Sequence, residues 1–370
     1  MKCGTRSLAV LGALALSAMG LVPAAWAADM SQSGAVDVSQ SGAAQIEGAQ
    51  TQSGAVQPEQ PTQPAEPSVP ASSAQSGEAS PGLVDTPIPD IQAVGAGDDS
   101  AMVGATVTTV GVVTAAYPAA ESGLGATLDG YTIQSPGSGG AWEPGRTRSD
   151  GLFVYADKKG EIPAPGTCVR VTGTVGEFPA TSAKGNPQSL TQLAATSVSV
   201  VEGCQAPMPV PATRVPTPDE AEALESMLLA PQGTWTITDN YQTNQYGTLT
   251  LTPGESPLRS ATDVVAPGQA ARDYEAANAA RAIVLDDGTN TNLLKGAAAE
   301  AAYAYLANGS PARVGYHVAF TKPVILEPRH GSFVFQPTSM VAGHPDRSPV
   351  TIAGQRPSAP TVTGDTRVAT

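Results

Sequence analysis

The sequence predicts a mainly β protein, with a five-stranded barrel over residues 88–205 and a second, mostly β domain over residues 206–348. Two observations predict this class. Short runs rich in Val, Ile, Thr and aromatic residues recur through both ranges, and turns rich in Gly, Pro, Ser and Asp separate them. Residues 28–87, in contrast, contain no Lys or Arg and few large apolar residues, so no core is expected there.

The N-terminus has the features of a secretory signal over residues 1–27. Lys2 and Arg6 precede an apolar run over residues 8–22, and small residues lead to a cleavage position after Ala27. A membrane anchor is the alternative, but the run is short for a span of the bilayer. We therefore expect a secreted chain that keeps no membrane segment once the signal is removed.

The charge balance is strongly acidic. The whole chain carries 19 basic and 33 acidic residues, and the signal holds Lys2 and Arg6 but no acid, so the mature balance is 17 − 33 = −16. Residues 88–205 carry 6 basic and 11 acidic residues, and residues 206–350 carry 9 and 14. This charge opposes non-specific attraction to nucleic-acid phosphates.

Residues 28–87 are predicted to form a disordered, acidic spacer. One short motif repeats along it, as SQSGAV (31–36), SQSGAA (39–44), TQSGAV (51–56) and AQSGEA (74–79). The proline-rich QPEQPTQPAEPSVP lies between the last two copies. This composition buries too little apolar surface to offset the entropy of ordering, so we expect a linker. A wall-spanning stalk or an adhesive repeat is the functional alternative.

Five β-rich runs define the predicted barrel, at residues 105–117, 126–135, 151–157, 167–178 and 190–203. In the fourth run Val169, Val171 and Val175 alternate with Arg170 and two threonines, which predicts one buried and one solvated face. Five strands with this pattern suit a barrel of the OB type. Such a barrel usually carries a helix between its third and fourth strands, but EIPAPG (161–166) is too short and proline-rich for one.

The second domain follows a proline-rich connection, QAPMPVPATRVPTP (205–218). Its predicted strands are 227–241, 247–253, 282–288, 312–320 and a pair within 324–337, which suggest another OB-like unit. QAARDYEAANAAR (269–281) predicts a helix, because it is rich in Ala, Glu and Arg and follows a Pro-Gly turn. A second helix is predicted over residues 293–307, and residues 349–370 are expected to be linker and the start of a further domain.

The cysteines predict a disulfide. Cys3 lies in the signal, which leaves Cys168 and Cys204 in the mature chain. An even pair in an exported protein favours a bridge, and two buried thiols are the alternative. Closing a loop of this length would stabilise the fold by about 4 kcal/mol through chain entropy. No histidine lies near either cysteine in the sequence, so the pair does not have the pattern of a zinc site.

A set of aromatic residues in the predicted barrel suggests a nucleic-acid site. Tyr131, Phe153, Tyr155 and Phe178 are candidate stacking faces for single strands, and Arg170 is a candidate phosphate contact beside them. The alternative is structural, because Phe153 and Tyr155 share one face of a strand and could close the core. The sequence favours the core interpretation and leaves the binding site open.

Asp286 and Asp287 are candidate ligands for Ca²⁺ or Mg²⁺, because they end a predicted strand as paired carboxylates. Followed by Gly288, they are also typical of a turn, which is the favoured interpretation. The three histidines of the chain lie far apart, without the spacing of a metal site. The chain has no nucleophile elbow, P-loop or dinucleotide fingerprint, so no catalytic residue is predicted.

Short motifs then follow one another in a recognisable order: IPDIQAVG (88–95), VGVVTAAY (110–117), GYTIQSPG (130–137), SDGLFVY (149–155), VRVTGTVGEF (169–178), SLTQL (189–193), EALESMLL (222–229), TDNYQTNQYGTLTL (238–251), NAARAIVLDDG (278–288) and GSFVFQPT (331–338). The series resembles the N-terminal, OB-fold-containing region of ExeM/NucH-like secreted bacterial endonucleases, of the endonuclease/exonuclease/phosphatase superfamily. Their OB-like module also occurs in YhcR-type sugar-nonspecific nucleases. Residues 293–307 and 317–331 depart from the family pattern.

The resemblance implies that the chemistry lies in another domain. In the family, a Pro/Ala-rich linker leads into G-D-x-x-V-A-[ST], where the catalytic domain begins, and GDTRVAT (364–370) is similar to that lead-in. The family's metal ligands and its water-activating Asp-His pair have no matching positions here. We therefore expect a truncated chain that is inactive alone and has no cofactor, with Mg²⁺ or Ca²⁺ belonging to the missing catalytic domain.

Two functions are favoured from the sequence, and a third, an enzyme active in its own right, would require a catalytic site that the sequence does not reveal. The first is a non-catalytic, nucleic-acid-handling region of a secreted DNA endonuclease, with extracellular DNA as a weakly bound partner. The second is a structural module that interacts with the cell envelope, with the cell wall as its partner and no binding of nucleic acid.

Overall fold

The computed structural model describes residues 84–95, 99–118, 128–157, 160–178, 188–295, 304–306, 311–329 and 331–354. All of them belong to one compact unit, Gly77–Thr370. The predicted signal with its cleavage after Ala27, most of the spacer, the centre of the second predicted helix and the segment 355–370 lie outside the described residues. No helix in the described part of the chain has the length and the apolar character to span a bilayer.

The first part of the unit is a closed five-stranded barrel. Its strands are β1 (Thr106–Tyr117), β2 (Gly130–Gln134), β3 (Gly151–Tyr155), β4 (Cys168–Phe178) and β5 (Leu190–Val200). They close in the order β1-β2-β3-β5-β4, with β3 parallel to β5 and the other neighbours antiparallel. This is the strand order of the OB fold, so the predicted barrel is confirmed.

The barrel core forms because the strands alternate as predicted. Along β4, Val169, Val171 and Val175 are buried, whereas Arg170 is exposed and Thr172 is half-buried. No helix connects β3 to β4 in the described residues 160–167, as the proline-rich sequence predicted. Instead a short helix before the barrel, α1 (Ile88–Ile91), places both of its isoleucines in the barrel core.

The second part is a mixed sheet of nine strands: β6 (Val210–Ala212), β7 (Leu228–Pro231), β8 (Trp235–Asp239), β9 (Leu249–Pro253), β10 (Ile283–Leu285), β11 (His317–Phe320), β12 (Val324–Arg329), β13 (Ser332–Pro337) and β14 (Val350–Ala353). Their order in the sheet is β14-β11-β8-β9-β10-β13-β12-β7-β6. Helices α2 (Pro218–Glu222), α3 (Thr243–Tyr246) and α4 (Gln269–Ala279) and two 3₁₀ turns, Ala261–Asp263 and Pro345–Arg347, connect them. The predicted helix over 269–281 is therefore confirmed as α4.

The core of the sheet centres on three aromatic side chains. Trp235 meets Phe320 and Phe335 edge to face, with ring centroids 5.9 and 5.6 Å apart, and the two phenylalanines meet each other at 5.8 Å. Edge-to-face pairs of this kind add stability beyond the area that they bury. The apolar faces of β7, β9, β10 and β12 complete this core.

The structure differs from the sequence prediction at three strands. Residues Val210–Ala212, within the predicted proline-rich connection, form β6 and pair with β7. The single strand predicted over 227–241 is two strands, β7 and β8, because the chain turns at Gly233 with a φ of 75°. Residues Val350–Ala353, assigned to the linker by the sequence, form β14 and pair with β11 at the edge of the sheet. A four-residue edge strand has little periodicity to reveal it, and a preceding proline is typical of linkers.

Candidate functional site

The structure separates the five residues predicted to bind nucleic acid. Tyr131 is fully buried inside the barrel, among residues such as Val154. Phe153 lies on the outer face of the barrel but is also buried, against Leu228 and Ile325 of the second sheet. Both rings are buried in this fold, which favours the core interpretation for these two residues.

The outer face of the barrel at β2 and β3 is covered by the second sheet. Every residue of β2 is buried, and so are the first four residues of β3. The covering contact is a small apolar core that the two parts share, formed by Ala115, Tyr117, Leu128, Phe153 and Leu190 of the barrel with Leu228 and Ile325 of the sheet. OB barrels use this face of strands 2 and 3 to bind oligonucleotides. Here the chain itself occupies it.

Hydrogen bonds fix the second sheet in this position. The backbone N–H of Leu228 donates to the side-chain oxygen of Gln134 at 2.9 Å, and the Tyr117 hydroxyl donates to the carbonyl of Pro337 at 2.8 Å. The backbone N–H of Ala116 donates to the carbonyl of Thr338 at 3.1 Å. These bonds cross from the barrel to the sheet at several points, so the two parts form one continuous structure.

Three of the predicted binding residues remain accessible. Phe178 is 51% exposed, Tyr155 is half-buried at the rim of the covered face, and the Arg170 side chain is 47% exposed. Arg170 forms an ion pair of 2.9 Å with Asp85, which neutralises part of its charge. A row of paired residues, Tyr155, Ala194 and Thr174, runs across β3, β5 and β4 on the outer face. We name the accessible surface formed by Arg170, Thr172, Thr174, Phe178 and Tyr155 the outer β4 face.

A buried polar cluster joins the barrel to the segment before β7. Glu225 is fully buried, and its Oε1 accepts hydrogen bonds from Gln92 Nε2 at 3.2 Å and from the Thr191 backbone N–H at 3.0 Å. The Thr191 hydroxyl donates to Glu177 Oε1 at 3.0 Å, so one threonine holds two carboxyl groups. The second oxygen of each carboxyl, Oε2 of Glu225 and of Glu177, is buried without a hydrogen-bond partner. We name these four residues the acid joint.

The acid joint raises the pKa of both of its carboxyl groups. Burial raises the pKa of Glu225 well above its usual range, and the negative charge of Glu222 raises it further. Burial also raises the pKa of Glu177, although a hydrogen bond from the Ser100 backbone opposes the shift. Desolvation disfavours the charged form of a carboxyl, and a neighbouring acid disfavours it again.

The backbone beside Glu225 is tightly constrained. Ser226 is fully buried with a positive φ of 58°, a conformation that costs energy for residues with a side chain. Its N–H donates to the Leu326 carbonyl at 2.7 Å, and the Ser149 hydroxyl donates to the Glu225 carbonyl. A Cβ on Gly151 would overlap the Ser226 carbonyl, so glycine is required at that position for the sheet to approach the barrel.

The predicted metal ligands Asp286 and Asp287 take part in hydrogen bonds within the sheet domain. Asp286 accepts from the Asp287 N–H at 2.9 Å and from Gln336 Nε2 at 2.7 Å, and Asp287 Oδ1 accepts from the Thr289 N–H at 2.9 Å. The remaining oxygen of Asp287 lies against Gly247, where a Cβ would overlap it. Among the described residues, no group of three or more His, Cys, Asp or Glu is placed to hold a metal ion.

Burial changes the titration of these two carboxyl groups. It raises the pKa of Asp286 to about 6, against the lowering effect of the Asp287 N–H. It raises the pKa of Asp287 well above its usual range, and the charge of Asp286 adds to the shift. The hydrogen bonds of these two residues fit the predicted turn, because each aspartate accepts from a backbone N–H that follows it in the chain.

The predicted disulfide is present between Cys168 and Cys204. It joins the first residue of β4 to the segment after β5, over a sequence separation of 36 residues. The bridge closes the end of the β4–β5 pair, where the backbone N–H of Val201 also donates to the Cys168 carbonyl at 2.9 Å.

The sequence missed the residues that join the two parts, namely Gln92, Gln134, Glu177, Thr191 and Glu225. One signal was present, because Glu225 interrupts an apolar run that includes Leu224 and Met227. If such a run is buried, its carboxyl group is buried with it and needs a hydrogen-bond partner. The partners themselves lie as far as 133 residues away in the chain, so no local pattern points to them.

Comparison with protein-family models, with curated proteins and with solved structures finds no match for this chain. The fold class therefore rests on the structure itself, and the resemblance to secreted endonucleases stays a prediction.

Proposed function

We propose that this chain is the non-catalytic accessory region of a secreted DNA endonuclease, and that it handles nucleic acid for an endonuclease/exonuclease/phosphatase domain. The observation that carries the proposal is the closed barrel of OB strand order, because it is built from the segments that carry the family resemblance. The Cys168–Cys204 bridge is compatible with the extracellular location that this function needs.

The covered face limits where nucleic acid can bind. Since the second sheet buries β2 and most of β3, the proposed contact surface is the outer β4 face. Phe178 offers an exposed ring for stacking, and Arg170 offers a cation at the other end of the same strand. Because Arg170 already pairs with Asp85 and the folded part is acidic, binding should be weak and should decrease steeply with salt.

A binding measurement with fluorescent oligonucleotides tests the proposal. The chain should change the anisotropy of labelled single-stranded DNA at low salt, and the variant Phe178→Ala should weaken binding by about 1–3 kcal/mol if a base stacks there. Arg281→Ala removes an exposed cation outside the barrel and serves as the matched control. The proposal fails if neither single- nor double-stranded DNA binds at low salt with Mg²⁺ and Ca²⁺ present.

One observation favours a second candidate, a structural module that contacts the cell envelope. The face on which OB barrels bind oligonucleotides is part of the internal core of this chain, so the barrel is well placed to act as a rigid spacer. Sedimentation of the chain with isolated cell wall, in parallel with the DNA measurement, separates the two functions. Binding to wall without binding to DNA would support the spacer and contradict the first proposal.

A further inference from the structure

The acid joint lies where two parts of the molecule meet, and it has few sources of positive charge. Glu225 comes from the segment before β7, whereas Glu177 and Thr191 come from β4 and β5 of the barrel. The titratable groups that act most strongly on the two carboxyls are Glu222, Asp99 and, for Glu225, Glu177 itself. All of these are acids, so ionisation of the joint would add repulsion between the barrel and the sheet.

The hydrogen bonds of the joint reach only one oxygen of each carboxyl group. Gln92 and the backbone of Thr191 donate to Glu225 Oε1, and the Ser100 backbone and the Thr191 hydroxyl donate to Glu177 Oε1. The Oε2 atom of each carboxyl is buried without a partner. A buried carboxylate oxygen without a donor is costly, whereas the same atom can carry the proton of a neutral acid.

We propose that Glu225 and Glu177 form a proton-controlled latch between the barrel and the second sheet: the latch holds while the carboxyls are protonated and loosens when they ionise. Glu225 is attached to the strained Ser226, which packs on Gly151 of β3, so repulsion at the carboxyls acts directly on the contact between the two parts. Loosening would begin at the segment that covers Phe153.

The direction of the pH effect follows from the raised pKa values of the two acids. In the unfolded chain a glutamate has a pKa of about 4.3. Above that pH the folded chain holds protons that the unfolded chain releases, so stability falls as pH rises until the folded groups ionise as well. For each proton that the folded chain keeps and the unfolded chain has released, the folding equilibrium constant falls by up to tenfold per pH unit.

Denaturant unfolding of the chain from mildly acidic to mildly alkaline pH tests the latch. The unfolding free energy of the native chain should fall as pH rises. Glu225→Gln should weaken this pH dependence, by up to a tenfold change in the unfolding equilibrium constant per pH unit. Glu177→Gln should flatten the slope as well, and it keeps the test valid if the first variant folds poorly. Glu202→Gln, at an exposed position, is the matched control and should leave the slope unchanged.

Hydrogen exchange distinguishes local loosening at the joint from a global loss of stability. The amides of Ser226 and Leu228, which bond to Leu326 and Gln134, should lose protection at alkaline pH before those of β9 do. The latch is wrong if Glu225→Gln leaves the pH slope unchanged, or if Glu202→Gln changes it equally. It is also wrong if Ca²⁺ or Mg²⁺ stabilises the native chain at alkaline pH but not Glu225→Gln, because the pair would then bind a cation.

Discussion

At the scale of single residues, two glycines in the barrel strands differ in the space available for a side chain. Gly151 of β3 is buried where the sheet meets the barrel, and a Cβ there would overlap the backbone of Ser226. Gly176 of β4 has open space around the position of a Cβ, and both residues lie in strands without a positive φ. The same substitution therefore has different consequences at the two sites.

The variant Gly151→Ala should lower the free energy of unfolding by about 1–3 kcal/mol, because the added methyl pushes Ser226 away from the barrel. Gly176→Ala should be neutral or stabilising by about 0.4–1 kcal/mol, since alanine restricts the unfolded chain without a clash. Urea denaturation of both variants measures the difference. Equal effects in the two variants would contradict the close approach at Gly151.

At the scale of elements, the disulfide holds the β4–β5 pair at its open end. β5 pairs with β3 only at residues Gln192, Leu193 and Ala194, so beyond Ala194 its described partner is β4 alone. The residues from Thr196 to Val200 are exposed, and apolar packing contributes little there. The Cys168–Cys204 bridge compensates by joining the start of β4 to the chain that leaves β5.

Replacing both cysteines with serine should lower the free energy of unfolding by about 2–4 kcal/mol. Reduction of the native chain should have a similar effect, which urea denaturation with and without a thiol reductant measures. The double variant is the control for the reductant, because it has no bridge to lose. The bridge has no structural role if the oxidised and reduced chains unfold at the same urea concentration.

Element boundaries show how far the sequence reaches. The five barrel runs were predicted to within a few residues, because each is rich in β-branched and aromatic residues and ends at a turn. The helices α1, α2 and α3 and the strands β6 and β14 were not predicted. Each is three to five residues long, and α1 begins at an Ile-Pro step that alone suggests a loop.

At the scale of the whole molecule, the barrel and the second sheet share apolar packing in addition to their own cores. Ile325 of β12 is fully buried between them, with Phe153 of the barrel among its neighbours. Strand β12 is buried along its whole length, because it faces the barrel on one side and the core of the sheet on the other. The stability of each part therefore depends on the other.

The variant Ile325→Ala should lower the free energy of unfolding by about 2–5 kcal/mol, through lost burial and the cavity that remains. Hydrogen exchange should show reduced protection in both β3 and β13, because one shared contact supports both. Val200→Ala, at a position 69% exposed, should change stability by less than about 0.5 kcal/mol and is the control. A loss of protection confined to the sheet would show that the two parts unfold independently.

The sequence by itself determined the mainly β class, the five barrel strands, the α4 helix and the disulfide, because strand alternation, turn residues and cysteine pairing are local or compositional properties. Only the tertiary structure decided which face of the barrel is free. Phe153 and Phe178 look equivalent as aromatic residues of β-strands, yet one is buried against Ile325 and the other is exposed. That difference depends on contacts between residues far apart in the chain, and no periodicity within a strand can report what packs against its outer face.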